Sequence, residues 1–158
     1  MSNVLVEQFA FVQGLAPQDI NGAALTEDVI SLKGAEQVDV FINVGAIGGT
    51  VSVTLKQSTD VAGTGEKALG FGFMWKSAAT SVALTKTAVT SNTFDLGSSD
   101  DNKTVHIPVH ASTLDVDNSF DCLRVDLTDP SAATVIAVTY IITGLRYQGA
   151  TLVDPLTD

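Results

Sequence analysis

The sequence predicts an all-β protein, an antiparallel β-sandwich of jelly-roll type with about eight strands. Three observations predict it. Short segments alternate apolar and polar residues with period two, as in Val51, Val53 and Leu55 set against Ser52, Thr54 and Lys56. Clusters of Gly, Asn, Asp and Pro separate these segments at the intervals of turns. No window sustains a helical period. The 158 residues suit one domain, residues 1–158, with an extended arm over about 1–17 and a tail over about 147–158.

Residues 1–16 are apolar but irregular, with Val4, Val6, Phe9 and Phe11 able to share a face of an extended arm. Such an arm packs on its own sheet or reaches a neighbour, and the sequence leaves both open. Pro17 and the Gln-Asp-Ile-Asn-Gly segment after it read as a turn. Thr26–Leu32 is a short strand, and Glu36–Ile47 a second one with Val38, Val40, Ile42 and Val44 on one face and Phe41 on the other. Gly48–Lys76 reads as a hairpin at the centre of the core. Its first arm buries Val51, Val53 and Leu55, and its second Leu69, Phe71, Phe73 and Trp75. The loop between them, Ser58–Lys67, carries Gly63 and Gly65 and lies on the surface.

A further strand falls within Ser77–Val89, and a brief one over Thr93–Leu96, before the turn Gly97–Asn102. Lys103–Ala111 places Val105, Ile107 and Val109 opposite His106, Pro108 and His110. Proline cannot donate to a ladder, so this strand is expected at an edge or a bulge. Leu114–Leu127 is an acidic turn followed by a strand with Leu123, Val125 and Leu127 inward, and Thr134–Tyr147 is the longest apolar strand, expected to be central.

Composition narrows function. The chain is 45% hydrophobic and 16% charged, which argues against disorder and suggests that a partner covers part of the surface. The net charge is −10 and the eight Lys and Arg are scattered. Nucleic acid and anionic membranes, which bind through clustered cations, are therefore not expected partners. The single cysteine, Cys122, allows no internal disulfide and reads as a buried strand residue. The start lacks a basic region and contains Glu7, which predicts no secretory signal. The longest apolar run is far short of the roughly 20 residues of a membrane helix. The chain is expected to be made in the cytoplasm.

Candidate chemical sites are few. His106 and His110 share a strand face but stand roughly 13 Å apart, too far for a common metal without a bulge at Pro108. Asp115, Asp117, Asn118 and Asp121 resemble a fragment of a calcium loop. The full pattern fails, because its glycine position holds Phe120 and its closing glutamate position Asp126. An Asx-rich turn is the simpler account. No nucleophile elbow or phosphate loop is present in the sequence. No enzymatic activity, cofactor or metal is expected.

Two stretches carry a resemblance. VTLKQSTDVAGTGEKAL spans residues 53–69, and LDVDNSFDCLRVDL spans 114–127, followed by the strand ending ITGLRY at 142–147. With the opening FVQGLAPQDING, they resemble a family of small structural proteins of tailed bacteriophages, the capsid decoration, cement or head-stabilising proteins. The resemblance implies a non-enzymatic virion protein that binds the major capsid protein on the shell's exterior. It also implies a homo-oligomer, most plausibly a trimer, assembled in the host cytoplasm. The contacts would come from the termini and the loop: Phe9, Phe11, Leu15, Thr59, Asp60, Val61, Tyr147, Leu152 and Val153. The alternatives are a tail or head–tail component, or a carbohydrate-binding module for host attachment that uses Trp75.

Overall fold

Strands form where valine, isoleucine and leucine recur at every second position, because one pleated face can then be buried. The structure, a computed structural model, describes residues 9–22, 25, 27–78, 81–145 and 155–156, leaving aside the side chains of 81 and 82. The strands in chain order are β1 (Ala10–Asp19), β2 (Ile30–Ser31), β3 (Gln37–Ile47), β4 (Val51–Ser58), β5 (Lys67–Ala68) and β6 (Phe73–Ala78). There follow β7 (Ser81–Ala88), β8 (Thr93–Leu96), β9 (Thr104–His110), β10 (Cys122–Leu127) and β11 (Thr134–Thr143). The helical segments among the described residues are short 3-10 turns, such as Ser98–Asp100.

The strands build a sandwich of two antiparallel sheets. One has the order β1-β11-β3-β9-β6-β7. The other runs β2-β10-β4-β5, with β8 also pairing β4. Val38, Val40 and Ile42 of β3, Val105 and Ile107 of β9, and Ile136, Val138, Tyr140 and Ile142 of β11 are fully buried. They face Val51, Val53 and Leu55 of β4 and Leu123 and Val125 of β10, equally buried, within one core.

The first arm of the expected central hairpin stands, and the second does not. Only Lys67 and Ala68 pair with β4. The chain then crosses from one sheet to the other, and β6 pairs with β7 and β9 instead. Leu69 and Met74 are buried, whereas Phe71, Phe73 and Trp75 are half-buried. Alternation reports which residues share a face but not which sheet the face belongs to. The face of Met74 and Lys76 turns inward instead. It is accommodated because Lys76 pairs with the buried Asp100 (2.8 Å), which also accepts from the Gly97 N–H (3.2 Å).

Other expectations are also adjusted. β1 takes up residues 10–19, so this part of the arm packs on its own sheet against β11. β9 is an interior strand rather than an edge. Backbone bonds at Val44–Lys103 and Glu36–Ala111 set the ladder's phase, so the Pro108 nitrogen points away from β3. On that side β6 reaches only His106 and Val105, so the missing donor breaks no pairing. Thr26–Leu32 contributes only the two residues of β2.

The shortness of β2 leaves β10 under-paired, and two side chains repair it. β2 covers Cys122 and Leu123 only. The next N–H groups on that side, Val125 and Leu127, donate to the Tyr140 hydroxyl (2.9 Å) and to Oε1 of Glu27 (3.2 Å). Tyr140 reaches there from the opposite sheet and is fully buried, which raises the pKa of its hydroxyl. Its ring lies against Gly14, where a Cβ would fall 2.3 Å from a ring carbon. A Tyr140→Phe substitution would orphan a buried N–H and is expected to cost about 1–3 kcal/mol in urea unfolding. A cost near zero would show that water replaces the hydroxyl.

Candidate functional site: the outer face of the six-stranded sheet

The alternation that fills the core leaves a second set of apolar residues facing outward. Cross-strand pairing aligns Gln13, Thr139, Phe41, His106, Trp75 and Lys86 in one row across the sheet. A neighbouring row joins Phe11, Ile141, Asp39 and Pro108. Phe41 stacks on the His106 imidazole with ring centroids 4.7 Å apart, and Phe73 meets Trp75 edge-on at 6.5 Å. Lys86 lies over the Phe73 ring, its Nζ 3.8 Å from the centroid.

At one end of these rows an open groove of about 390 Å³ is lined by Phe9, Phe11, Asp39, Phe41, His106, Ile141 and Thr143. Phe11 is 47% exposed, a large value for a phenylalanine beside other apolar groups. Two of its polar members, His106 and Asp39, are already engaged. His106 Nε2 lies 2.7 Å from Asp39 Oδ1, and the Gln37 amide donates to both Asp39 oxygens. The groove therefore offers apolar surface with one satisfied polar cluster, which suits contact with a protein surface.

The structure separates the contacts expected from the sequence. Phe9 and Phe11 line the groove. Leu15 is buried in the core. Thr59, Asp60 and Val61 belong to the loop after β4, in the other sheet, and do not line the groove. That loop is built around Asp60, whose carboxylate accepts from the N–H groups of Ala62 (3.0 Å) and Thr64 (2.9 Å). The Thr64 side chain, together with these backbone bonds, holds its pKa below the usual aspartate value, a sign that the sequence there serves the loop's own geometry. Tyr147, Leu152 and Val153 lie outside the described residues.

From the sequence, Phe41 turns away from the core face without being joined to Phe11, Ile141 is not singled out, and Trp75 is exposed only in the carbohydrate-binding alternative. The available signal was the presence of apolar residues on both faces of β3 and β11.

The histidine pair and the acidic turn do not assemble into sites. His106 is bound to Asp39, while His110 is exposed at the end of β9. Asp115 pairs with Lys67 and accepts from Asn118 (2.9 Å), and among the described residues no three ligand-type side chains converge on a possible metal position. Cys122 is buried. No helix among the described residues is long and apolar enough to cross a membrane.

The outer face of the second sheet carries charge instead. Arg124 on β10 binds Glu66, Glu27 (3.0 Å) and Asp126 (3.2 Å), and Lys56 joins Asp126 at 3.1 Å. The hydrogen bond from Arg124 keeps the Glu66 pKa low. Burial raises that of Glu27 despite the same arginine. Desolvation would raise that of Asp100, but Lys76 and the Gly97 N–H outweigh it and the net direction is down.

For Glu66 and Asp100 the stabilisation is present above their unfolded values of 4.5 and 3.8. It is lost as pH falls through the depressed folded values. Glu27 acts in the opposite sense, weakening the fold as pH rises through its ionisation. Thermal melts are expected to show a falling Tm below about pH 4. A Tm unchanged down to pH 2 would contradict these pairings.

Comparison with known proteins gives no relative: no family model, no curated protein and no solved structure matches the chain.

Proposed function

We propose that the chain is a non-enzymatic virion structural protein that decorates and stabilises a capsid exterior by bridging capsid subunits. The observation that carries this reading is the apolar outer face of the six-stranded sheet, with Phe11 half-exposed beside Phe9, Phe41 and Ile141. A contiguous apolar patch favours a macromolecular contact. The phage-like segments at 53–69 and 114–127 support the choice of partner, the major capsid protein. The net charge of −10 suits a surface turned away from packaged DNA.

The mechanism is mechanical. Each copy adds a modest contact energy between neighbouring shell subunits, and repetition over the shell makes the total large. The copies act as homo-oligomers at the shell surface. The test is co-sedimentation of the purified chain with shells that lack it. Saturable binding in proportion to shell subunits is expected. Binding only to isolated tails would favour the tail or head–tail alternative.

One observation favours a second reading, a carbohydrate-binding module. Trp75 stands on the outer face rather than in the core. Against it, Lys86 already occupies the face of Phe73, so a sugar ring would have to displace it. Glycans that leave Trp75 fluorescence unchanged would remove this reading.

A further inference from the structure

The two edges of the six-stranded sheet differ. β1 is interrupted by register shifts between Gln13 and Leu15 and between Leu15 and Gln18, and it contains Pro17. Its Gly14 carbonyl also accepts from the N–H of Asp28 (2.9 Å). Bulges, proline, lysine and a covering segment are means by which sheets avoid edge-to-edge pairing.

β7, at the other edge among the described residues, has only one of these between Leu84 and Ala88, the lysine Lys86. Its register with β6 runs without a shift from Ser77↔Leu84 to Phe73↔Ala88. The Val89 N–H donates to the Gly72 carbonyl (2.9 Å), which sets the phase of the ladder. Thr85 and Thr87 therefore turn their backbone groups to β6, and Leu84, Lys86 and Ala88 turn theirs outward.

Residues 83–88 are exposed on both faces of the strand, so burial does not hold β7 in place. β6 in turn pairs with β9 at only two positions. A two-stranded ribbon is marginal in water by itself.

We propose that β7 is a self-association edge, pairing antiparallel with β7 of a second copy about a two-fold axis at Thr85. Outward-facing residues must pair with each other, which puts the axis at one of residues 84 to 88, and an axis at Thr87 or Ala88 would pair Leu84 with residues beyond the end of β7. An axis at Lys86 would set two ammonium groups face to face, which is unfavourable. An axis at Leu84 would draw in the shifted stretch between Ser77 and Ala78. The axis at Thr85 uses the regular stretch, places Leu84 opposite Lys86 of the second copy, and sets the two Thr85 side chains side by side.

Charge agrees with this choice. Two molecules of net charge −10 must meet where carboxylates are absent, and the β7 sequence SVALTKTA contains none. Its one cation, Lys86, folds back over Phe73. The inference rests on strand geometry and not on the capsid reading. A two-fold contact closes at two copies, whereas the trimer implied by the resemblance needs a head-to-tail contact, which if made edge to edge would have to use the obstructed β1 edge.

Pairing along one short edge falls below about 1,200 Å² of buried surface, so the dimer is weak. Light scattering from about 10 μM to about 1 mM is expected to show the mean mass rising toward two copies. Thr85→Glu and Thr85→Lys each place like charges on the axis and are expected to weaken association tenfold or more. Mixing the two variants restores it. Lys86→Pro, which removes an outward donor, weakens it as well. A wild-type mass fixed at one copy up to about 1 mM overturns the proposal. So does a mass of three copies, or a Thr85→Glu variant that associates like the wild type.

Discussion

Replacing Arg124 with leucine is expected to destabilise the fold by about 3–5 kcal/mol, measured by urea unfolding. The reason lies in what the guanidinium leaves behind. The Glu27 side chain is only 2% exposed, and one of its oxygens accepts from the Leu127 N–H where β2 is too short to pair β10. Burial already pushes its ionisation upward, with Arg124 as the nearby opposing charge. Without Arg124 a buried carboxylate stays bound to the backbone with no cation beside it.

The deficit should shrink as pH falls. Protonation of a carboxyl whose folded pKa is raised favours the folded state, so the cost is greatest above that pKa and relieved below it. Glu27→Gln in the Arg124→Leu background keeps a hydrogen-bond acceptor and is expected to recover part of the loss. A single-variant cost below about 1 kcal/mol would place the network among ordinary surface pairs.

Phe11→Asp is expected to weaken binding to the capsid by about 30-fold or more, the loss typical of an apolar anchor at an interface centre. The same change should alter stability by less than about 1 kcal/mol, because Phe11 is 47% exposed while its neighbours Ala10 and Val12 fill the core. Sedimentation with shells measures the first quantity and urea unfolding the second. Undiminished binding by the folded variant would remove the groove from the contact surface. Deleting residues 1–15 is a poorer test, since it takes more than half of β1 and the buried Ala10, Val12 and Leu15 with it. Deletion of residues 1–8 leaves β1 intact.

Much of the sandwich was legible because its strands bury one face. Gln37–Ile47, Val51–Ser58 and Thr104–His110 follow the alternation of their valines and isoleucines almost to the residue. The hairpin's second arm misled for a physical reason. Phe73 and Trp75 have the greater apolar area, but the interior position went to Met74, and the polar end of that face was satisfied by a partner 24 residues away, Asp100.

The candidate site was only half legible. Phe9 and Phe11 stood out in an apolar terminal segment. Phe41, Ile141 and His106 come together through pairing among β3, β9 and β11, and strand order is not written in local pattern. The side-chain repair of β10 by Tyr140 and Glu27 was equally hidden, because it depends on where β2 stops.

The central claim is that this sandwich coats a shell. Cryo-electron microscopy of the particle that carries the chain tests it most directly. The account predicts many copies arrayed over the capsid exterior, each with the Phe11–Phe41 face of the six-stranded sheet against capsid subunits. A few copies confined to one vertex or to the tail, or copies on the shell with that face turned to solvent, would contradict it.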